Sequence, residues 1–181
     1  MTIDWARRAV WTILALSLLA FVVRGATKPE DPYFEEPTVS ATETGSGRVP
    51  IEGFGEVAFT TGVGEWCALL ADTPALRQQG LMGQDDLNGY DAMVFRFDED
   101  GTGGFWMKDT RIPLTVAYFD ARGGFVSSAD MQPCPEGTER CPSYPPTGPY
   151  RTAVEVPLGG LDDLGLGPGS TLTFGGGGCS A

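Results

Sequence analysis

Hydrophobic and polar residues alternate over short runs through most of the chain from residue 56 onward, which is typical of strands. The runs predict strands at 56–61, 64–71, 92–97, 105–107, 114–120, 124–131, 152–156 and 170–174. Residues 121–124 predict a hairpin loop between two of these strands. The pattern therefore predicts a mainly β domain, built as an antiparallel sandwich or barrel.

One or two short helices are predicted beside the strands. The first begins at Thr73 and Pro74, because Thr is a good N-cap and Pro is favoured at the first helical position. It is expected to end near Gly80 or Gly83. A second short helix is expected over 158–164, ahead of a Gly-rich turn.

The longest apolar run lies near the N-terminus. Residues 9–23 carry no charge, and Arg7, Arg8 and Arg24 flank them. A helix of this length spans roughly 22 Å, which is less than the ~30 Å hydrocarbon core of a bilayer. Residues 1–25 therefore predict either a signal peptide or a short signal-anchor. The arginine pair predicts a cytoplasmic N-terminus, with the rest of the chain extracytoplasmic and either anchored to the cytoplasmic membrane or secreted after cleavage.

The composition changes after this segment. Residues 26–50 are rich in Pro, Glu, Thr, Ser and Gly and contain few aliphatic side chains. Such a segment cannot bury enough apolar area to offset its chain entropy, so we predict a flexible acidic stalk. The β-rich globular domain is expected over 51–174, and residues 175–181 are expected to form a Gly-rich tail.

Charge and residue types exclude several function classes. The formal net charge is −12 and the pI is about 4.2, which argues against nucleic-acid binding because an acidic surface repels phosphates. The chain has no histidine, and so lacks the commonest general base and metal ligand. Its methionines show no Met-x-Met clustering, which favours core packing over a thioether copper site. We therefore expect no metal and no cofactor.

The four cysteines are Cys67, Cys134, Cys141 and Cys179. Cys134 and Cys141 enclose six residues, a spacing that favours a loop-closing disulfide over a metal or redox pair. Export across the membrane would supply the oxidising compartment that a disulfide needs. Two alternatives are open for Cys67 and Cys179. They form a second disulfide that ties the tail to the sheet, or Cys67 is a buried thiol and the tail is frayed.

The most distinctive chemistry lies in one short strand-and-turn run, which contains Phe105, Trp106, Met107, Lys108, Asp109 and Thr110. Side chains alternate along a strand, so Trp106 and Lys108 are expected to share one face. An indole beside an ammonium, with an acid and a hydroxyl next to them, suits a sugar, an anionic ligand or a peptide terminus. The alternative is that Trp106 is a core anchor and Lys108 its solvated neighbour.

Two charged residues elsewhere are candidates for the same surface. Arg77 lies on the first predicted helix, and Glu155 lies between two valines in a predicted strand. The Glu155 carboxylate is therefore expected to point to the face opposite the valines. Together with Asp72 and Asp109, these residues predict either an internal ion network that holds the helix to the sheet or a catalytic arrangement.

Several of these runs carry a resemblance to a known family. They are Arg77, Gly80-Leu81-Met82, Met93, Phe95, Phe105–Thr110, Pro113-Leu114, Glu155 and the turn 165–169. In order and spacing, residues 66–174 resemble the domain of unknown function 192 family, which also often shows a Pro-Cys…Cys-Pro-x-Tyr loop like residues 133–144. The resemblance implies a mainly β, jelly-roll-like sandwich with small helices and, for many members, an extracytoplasmic setting. It implies no reaction or ligand, because the family has no settled activity.

Two positions depart from the usual pattern of that family. Asp109 stands where an Asn usually follows the basic residue, and Thr115 stands where an Asp usually follows Pro-Leu. If the usual Asn and Asp form a functional pair, this chain has altered it, and its site is weakened or different.

Three functional hypotheses follow, and the catalytic residues are left unassigned. The first is a non-enzymatic extracytoplasmic domain that binds an envelope component or a small solute, with the candidate ligand-binding residues Trp106, Lys108, Asp109, Thr110, Arg77 and Glu155. The second is an envelope-processing hydrolase that uses Asp109, Glu155 and Arg77, which requires two carboxylates in one pocket. The third is a structural accessory subunit of a membrane complex, which a large apolar patch near the stalk would favour.

Overall fold

The computed structural model describes residues 47–134, 137–138, 140–176 and 178–180. Within these residues the chain forms nine strands and one short helix, numbered here in chain order. The strands are β1 (Gly55–Thr60), β2 (Glu65–Ala71), β3 (Ala92–Gly101), β4 (Phe105–Trp106), β5 (Leu114–Phe119), β6 (Phe125–Met131), β7 (Ser143–Tyr144), β8 (Tyr150–Pro157) and β9 (Thr173–Phe174). The helix, α1, is Pro74–Gln79.

Seven strands form one sheet in the order β6-β5-β8-β3-β2-β1-β9, and this sheet curls into a half-barrel. The strands β4 and β7 form a separate antiparallel pair. The mainly β prediction is confirmed. The structure has one large curled sheet in place of a closed barrel or two large sheets, because β4 and β7 contain only two residues each.

One strand pair departs from the antiparallel prediction. β2 and β3 run parallel, whereas all the other paired strands are antiparallel. The connection between these two strands spans residues 72–91 and contains α1. A crossover of this length returns the chain to the same end of the sheet, so the next strand runs in the same direction.

The prediction of the first helix is confirmed in detail. The Leu76 backbone N–H donates to the Thr73 hydroxyl at 3.3 Å, and Pro74 occupies the first helical turn. The helix ends at Gly80, which has φ +48° and donates its N–H to the Leu76 carbonyl at 2.8 Å.

The predicted second helix over 158–164 is wrong, because this segment forms consecutive turns. Gly159 and Gly165 have φ angles of +82° and +63°. These angles lie in the left-handed region, which glycine enters readily but which a right-handed helix does not use. Leu161 and Leu164 of this segment are nevertheless buried against the sheet, whereas Leu158 is exposed.

Each face of the large sheet buries its own hydrophobic cluster. One cluster includes Leu69, Met93, Phe95, Val116, Tyr118 and Met131, with partly buried side chains of α1, β4 and β7 packed on it. We call this side the helix face. The other cluster includes Val57, Phe59, Val94, Ala117, Val154 and Val156, together with Leu161, Leu164, Leu166 and Leu172. We call this side the turn face, because the turns after β8 cover it.

Two disulfides are present, namely the predicted Cys134–Cys141 bond and one of the two alternatives that the sequence left open for Cys67 and Cys179. Cys134 is bonded to Cys141, with the two Cα atoms 5.7 Å apart. Cys67 is bonded to Cys179 with a Cα separation of 5.4 Å, and this bond ties the C-terminal tail to β2. The described residues contain no free cysteine. The alternative of a buried thiol at Cys67 is therefore wrong.

The predicted signal or anchor segment, residues 1–25, lies outside the described residues, and so does most of the predicted stalk, residues 26–50. Within the part of the chain that the structure describes, no helix has the length and apolar character needed to cross a membrane.

Candidate functional site

Trp106 projects from β4 into solvent, with 48% of its surface exposed. The Lys108 Nζ lies 5.7 Å from the centre of the indole ring, which is within cation–π range. On the other side of the chain, Met107 is fully buried and Phe105 is half-buried. The indole and the ammonium therefore lie side by side on an exposed surface, although β4 ends at Trp106 and Lys108 belongs to the following turn.

A small pocket of about 30 Å³ lies beside Trp106 and is built from α1, the segment after it, β3, β4 and β8. Its lining residues are Arg77, Gln78, Gln79, Gly80, Leu81, Met82, Phe95, Phe105, Trp106, Thr110 and Glu155. We call it the motif pocket, because all of these residues except the two glutamines belong to the runs that carry the family resemblance. These runs are distant in the sequence, and the fold brings them together.

Glu155 lies on β8, near the middle of the large sheet. It pairs with Met93 on β3 and with Val116 on β5, and both of these neighbours are fully buried. Cross-strand neighbours share a face of the sheet, so Glu155 points to the helix face, opposite its flanking valines, as expected. Only 4% of its surface is exposed.

The Glu155 carboxyl has an unusual environment. None of the hydrogen bonds or salt bridges among the described residues involves it, and burial raises its pKa from 4.5 to about 8. A carboxyl with this pKa is mostly protonated at pH 7. The motif pocket therefore contains a buried, neutral carboxyl that no described group partners.

Arg77 joins α1 to the sheet through backbone carbonyl groups. Its Nη1 donates to the Asp72 carbonyl at 2.6 Å and to the Arg96 carbonyl at 2.7 Å. Its guanidinium also lies 4.8 Å from the centre of the Phe97 ring. The salt bridges found among the described residues are Arg111–Asp85 and Arg151–Asp100. Among the described residues, Arg77 therefore does not form the expected ion network with carboxylates, and it makes hydrogen bonds to backbone carbonyls instead.

Asp109 and Thr110 connect the pocket to a second cavity. Asp109 is exposed and lines a groove of about 450 Å³ with Gly83, Thr110, Arg111, Pro133 and Cys134. Thr110 is buried, lines both cavities and donates its hydroxyl to the Lys108 carbonyl at 3.3 Å. The six candidate residues thus lie around one region, but Glu155 and Asp109 line different cavities.

The backbone explains why an acid can stand at position 109. Asp109 has φ +54°, and its carbonyl accepts a hydrogen bond from the Gly83 N–H at 2.9 Å. Asn and Asp tolerate the left-handed region better than other non-glycine residues. Asp109 therefore preserves the turn that an Asn would form, and it adds a negative charge to the groove.

Thr115, the second departure from the family pattern, has a structural role. Its hydroxyl donates to Asp130 Oδ1 at 2.7 Å and accepts from the Gly159 N–H at 2.9 Å. Thr115 pairs with Val156 on β8, so it lies on the turn face, opposite Glu155. The two altered positions therefore do not act together at the motif pocket.

The described residues also bring Glu56 close to Cys67 and Cys179, a grouping that resembles a metal site. Both sulfur atoms are bonded in the disulfide and offer no thiolate. The Glu56 carboxylate accepts a hydrogen bond from the Tyr90 hydroxyl. This grouping is therefore explained by packing around the disulfide.

Sequence reasoning missed the aromatic walls of the motif pocket. Phe95 and Phe105 pack edge to face with their ring centres 4.8 Å apart, and both line the pocket. The sequence placed both in strands and in the runs that carry the family resemblance, but neither was named as a candidate site residue. The signal that could have found them is their place in the motif runs, beside Gly80 and Trp106.

Comparison with known proteins gives one family and two solved structures. The model of the domain of unknown function 192 family (DUF192, an uncharacterized ACR) matches residues 58–174. A protein of unknown function from Novosphingobium aromaticivorans DSM 12444 is 25% identical, with a TM-score of 0.57, over 70% of this chain and 90% of that one. A candidate transcription regulator from Sinorhizobium meliloti 1021 is 24% identical, with a TM-score of 0.55, over 69% of this chain and 98% of that one. Among curated proteins no match was found. Since the family match covers more than half of the chain, this protein belongs to the DUF192 family.

Proposed function

We propose that this domain is a binding module that holds a terminal polar group of an envelope component or small solute in the motif pocket. The observation that carries the proposal is the convergence of the motif residues on this one pocket. Trp106 at its rim offers an exposed aromatic surface, and Glu155 offers a buried polar group. Recognition sites commonly combine apolar walls with a few placed polar groups.

The sizes of the two cavities support a ligand that is only partly enclosed. The motif pocket of about 30 Å³ admits roughly two or three water-sized groups and no complete sugar ring. The adjoining groove of about 450 Å³ has the size of a small-molecule site. A ligand that enters with one end group therefore has room to extend over Trp106 or along the groove.

We propose further that the domain works outside the cytoplasmic membrane, attached through residues 1–25 or released after cleavage. The apolar run with its flanking arginines supports this location. The two disulfides also support it, because such bonds persist in oxidising compartments.

The alternative of a carboxylate-dependent hydrolase receives less support from the geometry. Neither cavity is lined by both Asp109 and Glu155. Asp109 is exposed on the surface turn, whereas Glu155 is enclosed within the sheet. Glycoside hydrolysis needs its two carboxyl groups on either side of one scissile bond, so we favour binding over this reaction.

The test is a thermal-shift screen of the full-length chain in mild detergent against cell-wall sugars, peptides and small solutes. A ligand that uses the proposed surface should raise the melting temperature of the native protein and lose this effect in Trp106→Ala. Leu158→Ala is the matched control, because Leu158 is an exposed apolar side chain on another segment, with 43% exposure. No shift with any ligand class, or an equal shift in both variants, would refute the proposal.

A further inference from the structure

The motif pocket combines aromatic rings with one carboxyl group. Phe95, Phe105 and Trp106 contribute three rings to its lining, and Glu155 is the only acidic residue among them. Aromatic faces attract cations, and desolvation strengthens that attraction. The Lys108 ammonium lies 5.7 Å from the Trp106 ring centre, within the cation–π range of this indole.

The charged and titratable groups around Glu155 leave its carboxyl free for a ligand. Arg77 is the one cationic residue that lines the pocket. Its Nη1 donates to the backbone carbonyl of Asp72, just before α1, and to that of Arg96 on β3. On β5, Tyr118 donates its hydroxyl to the Tyr144 carbonyl, and burial raises the pKa of Tyr118 further, so it stays neutral. No described residue of these elements satisfies the carboxyl.

We infer that the motif pocket receives a primary ammonium group, carried at the end of a larger solute or envelope component. The inference rests on the proposed binding function and names the chemical class of the group that enters. A primary ammonium is close to water in size, so it fits a pocket of about 30 Å³. A quaternary ammonium carries four carbon substituents and is too large for this volume.

Proton linkage gives this inference a signature that other ligand classes do not share. The empty pocket holds a protonated Glu155 carboxyl at neutral pH, and an ammonium binds best to the carboxylate. Binding therefore releases one proton from Glu155 to the solvent. At pH values below the Glu155 pKa of about 8, the association constant should rise by up to tenfold per pH unit. At higher pH it should level off. A ligand that accepts a hydrogen bond from the protonated carboxyl has the opposite pH dependence.

The experiment is an NMR titration of the ¹⁵N-labelled full-length chain in mild detergent with n-propylammonium chloride at pH 6, 7, 8 and 9. The indole N–H signal of Trp106, assigned with Trp106→Phe, reports on the pocket. We expect the association constant to rise at least tenfold from pH 6 to pH 8. Neutral n-propanol and tetramethylammonium chloride should bind at least tenfold more weakly than n-propylammonium at pH 8.

Glu155→Gln is the decisive variant, because it keeps the shape of the side chain and cannot ionise. It should weaken n-propylammonium binding at least tenfold at pH 8 and abolish the pH dependence. Glu65→Gln makes the same chemical change at an exposed strand end and should leave both unchanged. Circular-dichroism melts check that both variants are folded. Trp106→Leu, at the exposed rim, should also weaken n-propylammonium binding, and this change does not alter the core packing.

The outcomes separate this inference from the function on which it rests. Binding that is independent of pH, falls as pH rises, or survives unchanged in Glu155→Gln overturns the ammonium assignment. If the thermal-shift screen then finds a neutral or anionic ligand that depends on Trp106, the binding function stands and only the chemical class is wrong. If the screen finds no ligand of any class, the binding function itself fails.

Discussion

Replacing Glu155 with glutamine is expected to remove a pH dependence from the folding stability of this domain. The carboxyl has a pKa of about 8 in the folded protein, against 4.5 for an ordinary glutamate, because it is buried without a partner. Below pH 4.5 it is protonated in both states and contributes no pH dependence. Between pH 4.5 and 8 only the unfolded chain has released this proton, so stability falls as the pH rises.

The magnitude follows from the proton count. A difference of one bound proton changes the free energy of unfolding by about 1.36 kcal/mol per pH unit. Between pH 5.5 and 7.5 the Glu155 contribution to stability should therefore fall by roughly 2–3 kcal/mol. Above pH 8 the full loss reaches about 5 kcal/mol. The sign is opposite to that of an ion-paired surface carboxylate, which stabilises a fold as the pH rises.

The assay is urea denaturation of the full-length chain in mild detergent, with the disulfides intact, at half-unit steps from pH 5 to 8.5. The slope of the unfolding free energy against pH in Glu155→Gln is subtracted from that of the native protein, so the other titrating groups cancel. Urea m-values of roughly 1–3 kcal/mol per molar predict a midpoint shift of about 1 M or more for the native protein over this range. Glu65→Gln, at an exposed position, should keep the native slope. Parallel slopes in the native protein and Glu155→Gln would show that the carboxyl is not desolvated as argued.

Three further predictions concern the stability of the fold, and each is measured by urea denaturation at one pH. Cys179→Ser should cost about 4.8 kcal/mol and Cys141→Ser about 2.4 kcal/mol, because the bonded cysteines are 112 and 7 positions apart in the sequence. Equal losses would contradict the loop-entropy argument. Thr115→Val removes a hydroxyl that makes two partly buried hydrogen bonds and should cost about 1–3 kcal/mol, and a change below about 0.5 kcal/mol would refute that role. Gly80→Ala should cost about 1–3 kcal/mol, because φ +48° with ψ −138° is a backbone conformation that glycine adopts far more readily than other residues. Gly167→Ala should cost clearly less, because φ is not positive there and a Cβ meets no atom within 4 Å.

Short-range signals in the sequence predicted the local structure well. The cap at Thr73 and the stop at Gly80 depend on neighbouring residues alone, and both are present. The strands lie close to the predicted positions, although β1, β2 and β8 each contain at least three consecutive buried residues because both faces of the sheet are covered. The turns over 158–164 were mistaken for a helix, because their leucine spacing also suits an amphipathic helix. In that segment glycine conformation and tertiary packing decided the outcome, and the spacing of apolar residues does not report either one.

Long-range pairing was the part that sequence patterns could not give. Nothing in the alternation of β2 or β3 distinguishes a parallel neighbour from an antiparallel one. The same limit applies to the site. Strand periodicity predicted the direction of Glu155, but it left open whether Trp106 is a core anchor or exposed, and the structure shows it exposed. The meeting of the two residues at one pocket depends on the crossover through α1 and on the placement of β4. Arg77 was expected to pair with carboxylates, whereas the crossover places backbone carbonyls within its reach.

The contrast between Thr115 and Glu155 indicates which polar residue has a role beyond the fold. Both are buried in the central sheet, and Thr115 has a donor and an acceptor that satisfy its hydroxyl. Glu155 has fully buried apolar cross-strand neighbours on both sides, so an apolar residue would suit that position better. A desolvation cost of several kcal/mol is a large part of the 5–15 kcal/mol by which domains are normally stable. Local violations of folding rules of this size are expected chiefly at functional sites, and this one lies in the pocket where the motif residues meet.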